Sequence, residues 1–152
     1  MEEGEYREIY HQVNEQRCTF EKSILSRQTM CRNAHRFCLA DREGVSCHDQ
    51  ASHAQCQQLL SELRNKALFA LKLTRIDGPL PHAKEVKVQT GGLLGLAALL
   101  DEQTDIDRVE DIIYVLKRGI TKYGSIASLP FDEITRRIVL YQARQRRRGS
   151  NP

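Results

Sequence analysis

A chain of 152 residues with 40% apolar residues, no Trp, four Phe and five Tyr has material for one modest core, built mostly from Leu, Ile, Val and Ala. Its longest apolar run, residues 91–100, falls short of the roughly 18 residues of a membrane-spanning helix, and the opening Met-Glu-Glu-Gly-Glu lacks the basic and apolar parts of an export signal, so a cytoplasmic protein with no membrane span is expected. The net charge of +3 is uneven: six arginines lie between residues 136 and 148 with no acid among them, and subtracting those six leaves −3, which argues against a broad nucleic-acid-binding face on the body.

The pattern reads as helical almost throughout. Tyr6, Ile9, Tyr10 and Val13 recur at helical spacing and predict a first helix. Thr19 is a plausible N-cap for a short helix carrying Phe20, Ile24 and Leu25. Residues 29–48 have no clear period and predict a loop with a helical turn or two, with a turn at Asp41-Arg42-Glu43-Gly44. Ser52 to Gln55 fits a capping box, and a strong helix to about Thr74 follows, with Leu59, Leu60, Leu63, Ala67, Leu68, Ala70 and Leu71 as its apolar stripe.

Gly78-Pro79-Leu80-Pro81 breaks the chain. The next segment alternates like a strand at Glu85-Val86-Lys87-Val88-Gln89, but no second strand is evident to pair with it, so a helix interrupted near Gly91-Gly92 is expected. Thr104 or Asp105 should cap a helix whose stripe is Val109, Ile112, Ile113, Leu116 and Ile120, with Gly124 as its stop. Pro130 should open the last helix at its first position, with Asp132 and Glu133 in the first turn. The expected architecture is all-α: a single helical domain over residues 1–148, of five to six helices with an irregular cysteine-bearing segment, and a frayed end at 149–152.

The cysteines carry the chemistry. All five, Cys18, Cys31, Cys38, Cys47 and Cys56, fall in the first 56 residues. An odd number without an export signal argues against a disulfide framework and for metal binding in a reducing compartment. The intervals contain no Cys-x2-Cys knuckle, which disfavours a zinc ribbon, but thiolates at separate helix ends can converge on an iron–sulfur cluster. Cys47 and Cys56 flank the start of the strongest helix, Cys18 precedes a helix start and Cys31 follows that helix. These four are the expected ligands of an iron–sulfur centre, with 4Fe-4S as the leading form and zinc as the alternative. Cys38, between Phe37 and Leu39, is expected to be a buried free thiol; it, His48 and His53 are substitute ligands. His53 and Cys56 would share a helix face.

The segments CTFEKSILSR (18–27), LADREGVSC (39–47) and LPHAKEVKVQTGGLLGL (80–96), about a quarter of the chain, resemble small bacterial cysteine-rich proteins of unassigned function. The resemblance implies a bacterial cytoplasmic setting and favours a bound cluster; it carries no activity and does not select the ligands.

Three further features invite weaker readings. Gly91-Gly92-Leu93-Leu94-Gly95 lacks the strand and the Gly-Lys-Ser/Thr of a phosphate loop and fits close helix packing or a kink. The tail Arg144-Gln145-Arg146-Arg147-Arg148 could meet phosphates or an acidic protein, and is read first as a solvated helix end. The acids at 101–111 suit a helix start, and a cysteine nucleophile paired with His35 or His48 ranks last. The leading function is thus a cytoplasmic metal-binding protein with an electron-transfer, redox- or iron-sensing, or assembly role and a protein partner. The runner-up is a metal-free helical adaptor, and no catalytic set is assigned.

Overall fold

The structure is a computed structural model that describes residues 2–71, 80–101 and 106–142. The described residues form six helices and one hairpin: α1 (Glu3–Val13), α2 (Glu21–Leu25), β1 (Ala34–Leu39), β2 (Arg42–Cys47), α3 (Gln50–Ala67), α4 (His82–Asp101), α5 (Ile112–Tyr123) and α6 (Phe131–Leu140). The expected cap at Thr104 or Asp105, the break at Gly78-Pro79 and the arginine tail from Arg144 lie outside the described residues.

The hairpin overturns the all-α expectation. The stretch read as loop pairs antiparallel from Ala34↔Cys47 to Leu39↔Arg42. Its loop is the two residues Ala40-Asp41, with Ala40 in the left-handed region at φ +56°, rather than the turn expected at 41–44. Alternation is faint because the hairpin does not bury one clean face: only Gly44 and Val45 are fully buried. Gly44 stands opposite Phe37, whose ring a Cβ at 44 would meet at 2.5 Å. An isolated antiparallel bridge, Arg17 to Ser46, lies along the other edge of β2, where the Cys18 amide donates to the Val45 carbonyl at 2.9 Å and the Cys47 amide to the Gln16 carbonyl at 2.8 Å.

One continuous core runs from Phe20, Ile24, Val45 and Cys56 in the front segment to Leu59, Leu63, Leu93, Leu96, Ile112, Leu116, Ile134 and Ile138. α4 is its centre, and no interruption occurs at Gly91-Gly92. The glycines instead allow close approach: a Cβ on Gly91 would stand 2.8 Å from the Ile138 Cα, and one on Gly92 2.7 Å from a Leu63 methyl. The N-cap of α3 lies three residues before the expected one, Ser52. Asp49 is its N-cap and accepts from the Ser52 amide at 3.0 Å, while the Ser52 hydroxyl also donates to that carboxylate. The first helix buries only Tyr10 and leaves Val13 exposed. Val109 precedes α5 in an extended bridge to Thr29, and Asp111 caps that helix. Gly124 ends it at φ +94°, as its position predicted, and Pro130 caps α6 one residue before the first helical position.

A buried polar chain ties the cysteine-bearing front to the helices. The Ser23 hydroxyl bonds those of Thr29 and Thr90, each at 2.8 Å, and the Ser23 amide donates to Gln89 Oε1 at 3.1 Å. Gln89 Nε2 donates to Glu85 Oε2 at 2.6 Å, and Arg64 grips both Glu85 oxygens at 2.9 and 3.1 Å. Each member has a partner, as buried polar groups require.

Candidate metal centre

Four separate segments deliver four cysteines to one place. Cys18 follows the isolated bridge of Arg17 to Ser46 on β2, and Cys47 ends β2 itself. Cys31 follows a stretch that runs along Val109, where the Met30 amide donates to the Val109 carbonyl at 2.9 Å and the Ile112 amide to the Met30 carbonyl at 2.8 Å. Cys56 lies on the buried face of α3, one turn before Leu59 and Leu60. Together these cysteines line a small enclosed cavity whose other walls are Thr19, Phe20, Ala34, His53, Ile112 and Ile113 among others. Cys56 is buried, and Cys18, Cys31 and Cys47 are half-buried.

Cys38 is corrected by the structure. It lies exposed on β1, away from the cavity, because its strand turns that side chain to solvent. His48 is likewise exposed on the hairpin, its ring 5.2 Å from that of His35, and neither lines the cavity. His53 does line it, as its place one turn before Cys56 predicts, but its Nε2 is engaged with the Arg17 carbonyl at 2.9 Å.

The electrostatics disfavour bare thiolates in the cavity. Burial pushes the Cys18 thiol up to about 12, against a backbone N–H from Phe20, and the nearby Cys31 and Cys47 raise it further. Burial also raises Cys31, partly offset by the N–H groups of Asn33 and Ile113, with Asp111 and Cys47 adding to the rise. Cys56 is raised by burial and then by all three other cavity cysteines. Each would-be anion therefore acts on its neighbours, and a multiply charged cation among them reverses that repulsion. The Cys47 thiol donates to the Asp49 carbonyl at 3.4 Å.

Among the described residues, no group of three or more His, Cys, Asp or Glu side chains is arranged to hold a metal ion. A tetrahedral ion with metal–sulfur bonds of about 2.3 Å needs its sulfurs roughly 3.8 Å apart, which leaves no room for a water between them. The cavity encloses about 10 Å³, near the minimum for one water. A cluster takes one thiolate on each iron and so accepts sulfurs held further apart, but its core of irons and sulfides needs far more room than the cavity encloses as it stands. The Thr19 hydroxyl lines the cavity, is buried, and has no hydrogen-bond partner among the described residues. Sequence reading passed over Thr19 because it was assigned to a helix cap. The helix is instead entered through Phe20 with no side-chain cap.

No helix among the described residues is long and apolar enough to cross a membrane. No family model matches the chain, and no curated protein or solved structure matches it. The resemblance to small bacterial cysteine-rich proteins therefore adds nothing to the geometry, and the centre stands on its own residues.

Proposed function

We propose that the protein is a cytoplasmic metal–thiolate protein that holds an iron–sulfur cluster, 4Fe-4S by donor number, on Cys18, Cys31, Cys47 and Cys56. One observation carries the reading: of five cysteines, the four on separate segments line a single cavity and the fifth faces solvent. Such a cluster supplies one-electron redox chemistry. The chain's own residues supply the rest. Phe20, Ile112 and Ile113 exclude water, the N–H groups of Phe20, Asn33 and Ile113 lean toward charged sulfur, and α3 anchors Cys56 in the core. Electron transfer, redox or iron sensing, and service to an assembly system all draw on these properties.

Anaerobic purification tests the proposal through colour. The cluster protein absorbs in the visible through thiolate-to-iron bands that bleach on reduction, and a variant with all four cavity cysteines changed to Ser is colourless. A colourless wild-type protein holding one zinc per chain would assign the cavity to a structural zinc instead. A second reading, a metal-free adaptor, draws support from the absence of a ready single-ion site among the described residues and from the raised thiols. It predicts a folded protein with neither metal nor colour.

A further inference from the structure

A cavity of about 560 Å³ opens where the segment leading into α2 meets α3 and α4. Helical spacing makes its α3 wall. His53, Gln57 and Ser61 stand four apart and Leu60 and Arg64 flank that row, so one face of α3 lines the space. Gln57 and Ser61 are exposed, while Leu60 is buried. Glu85 and Gln89, one turn apart on α4 and both buried, line it from the core, and Lys22 lines it from α2.

The oxygens of the buried walls, on Glu21, Glu85 and Gln89, are already taken. Glu21 Oε1 accepts from Arg17 Nε at 2.7 Å, and its Oε2 accepts from the Val45 amide at 2.8 Å and from the Tyr10 hydroxyl. Glu85 Oε1 accepts from Arg64 Nε and the Leu80 amide, and its Oε2 from Arg64 Nη2 and Gln89 Nε2. Gln89 Oε1 accepts from the Ser23 amide. The donors are not exhausted in the same way. Among the described residues, Arg64 Nη1, the Lys22 ammonium and the side chains of Gln57 and Ser61 have no partner.

We infer that this cavity binds a small organic anion, with its charged group on Lys22 and Arg64 and its hydroxyl or carbonyl groups on Gln57 and Ser61. Net charge does not choose the place: the exposed Glu15 and Arg17 in its walls offset each other, and the arginines at 136–148 carry more positive charge. Enclosure and unspent donors choose it. A concave site of this volume suits a small molecule rather than a macromolecular surface, and its polar walls suit one with little apolar bulk. A cation would find the buried carboxylates occupied, whereas an anion gains charge-assisted hydrogen bonds. Glu85 already fixes the Arg64 guanidinium, so little ordering remains to be done when the ligand arrives. The site shares Cys18 with the cysteine cavity but needs no metal there, and it stands whether or not a cluster is bound.

Titration calorimetry on the full chain tests the site with two probes, glycerol phosphate for a phosphate ester and succinate for a carboxylate. Saturable binding of either at one per chain is expected, and the tighter probe assigns the charged group. Lys22→Gln should weaken that binding roughly tenfold or more, and Ser61→Glu, which sets a like charge in the wall at an exposed position, should abolish it. Thermal melts confirm that both variants fold. Changing Arg144, Arg146, Arg147 and Arg148 together to Gln should leave the affinity unchanged. No saturable binding of either probe would overturn the site, as would binding that survives both Lys22→Gln and Ser61→Glu. Binding lost only in the variant without the four arginines would move the anion to the tail and also overturn it. None of these results depends on iron content, so the cluster reading stands or falls separately.

Discussion

The amide of Cys18 donates to the carbonyl of Val45 at 2.9 Å, so Cys18 is held by the strand that ends two residues later in Cys47. Twenty-nine positions separate the two cysteines in the chain, and the bridge between Arg17 and Ser46 brings both to the same cavity. The hairpin is thus the device that gathers the front half of the centre, and α3 and the start of α5 close it.

Single serine replacements should separate the five cysteines. Cys18→Ser, Cys31→Ser, Cys47→Ser and Cys56→Ser each lower bound metal well below stoichiometry in anaerobically purified protein. Cys38→Ser leaves it unchanged, because Cys38 is exposed and away from the cavity. In metal-free protein, alkylation near neutral pH should label Cys38 before Cys18 and Cys56, whose thiols burial raises and keeps protonated. Peptide mapping after a short pulse checks the order.

Thr19 offers a probe of the cavity's contents. Its orphaned hydroxyl costs stability unless an acceptor occupies the cavity. A hydrogen bond to cluster sulfur stabilises the more negative, reduced state. Thr19→Val should therefore keep the full iron content and shift the midpoint potential to a more negative value, and Thr19→Ser should restore it. An unchanged potential in Thr19→Val would show that the hydroxyl has no such acceptor.

Arg64 and Glu85 form the buried pair that locks α3 to α4, with Glu85 only 1% exposed. Burial pushes the Glu85 carboxyl up, but hydrogen bonds from Arg64 and Gln89 and the Arg64 charge outweigh it and leave the group below its usual 4.5. A lowered carboxyl stabilises the fold fully above that usual value, and the contribution fades as pH falls through the lowered one. Arg64→Met strands the carboxylate at a cost of about 3 kcal/mol. With only burial acting, the sign reverses: the loss is largest near neutral pH and eases as Glu85 protonates. Denaturant titrations of both proteins between pH 4 and pH 7, spanning that usual value, check the direction.

Glycine substitutions should divide by location. Gly91→Ala places a Cβ 2.8 Å from the Ile138 backbone, and forcing α4 from α6 costs about 1–3 kcal/mol. Gly4→Ala meets nothing within 4 Å on α1 and should gain up to about 1 kcal/mol from helix propensity. Thermal melts of the two variants should move in opposite directions.

The helices were legible because their stripes bury against one core: Leu59, Leu60 and Leu63, and Ile112, Ile113 and Leu116, are all inside. The four cysteines grouped from their places near helix starts do line one cavity, but Cys47 ends a strand rather than flanking a helix directly, and among the described residues no three such side chains are arranged to hold a metal ion. The hairpin was not legible. Its strands carry Arg, His, Cys and Gly on a surface only partly buried, so no period-two signal survives, and its tight loop uses Ala40 in place of a glycine or asparagine. Because that hairpin also sends Cys38 outward, the apolar neighbours Phe37 and Leu39 suggested burial where the strand supplies exposure. The place of Thr19 depends on a contact between distant segments, Cys18 with Val45, which local patterns do not encode.

Iron, zinc and acid-labile sulfide counted per chain in anaerobically purified protein bear most directly on the centre. The account predicts iron and sulfide in equal amounts, near four of each for a four-thiolate cluster, with zinc at trace levels. Folded protein with no iron, no zinc and no sulfide, and with all five thiols free to titrate on unfolding, would contradict it.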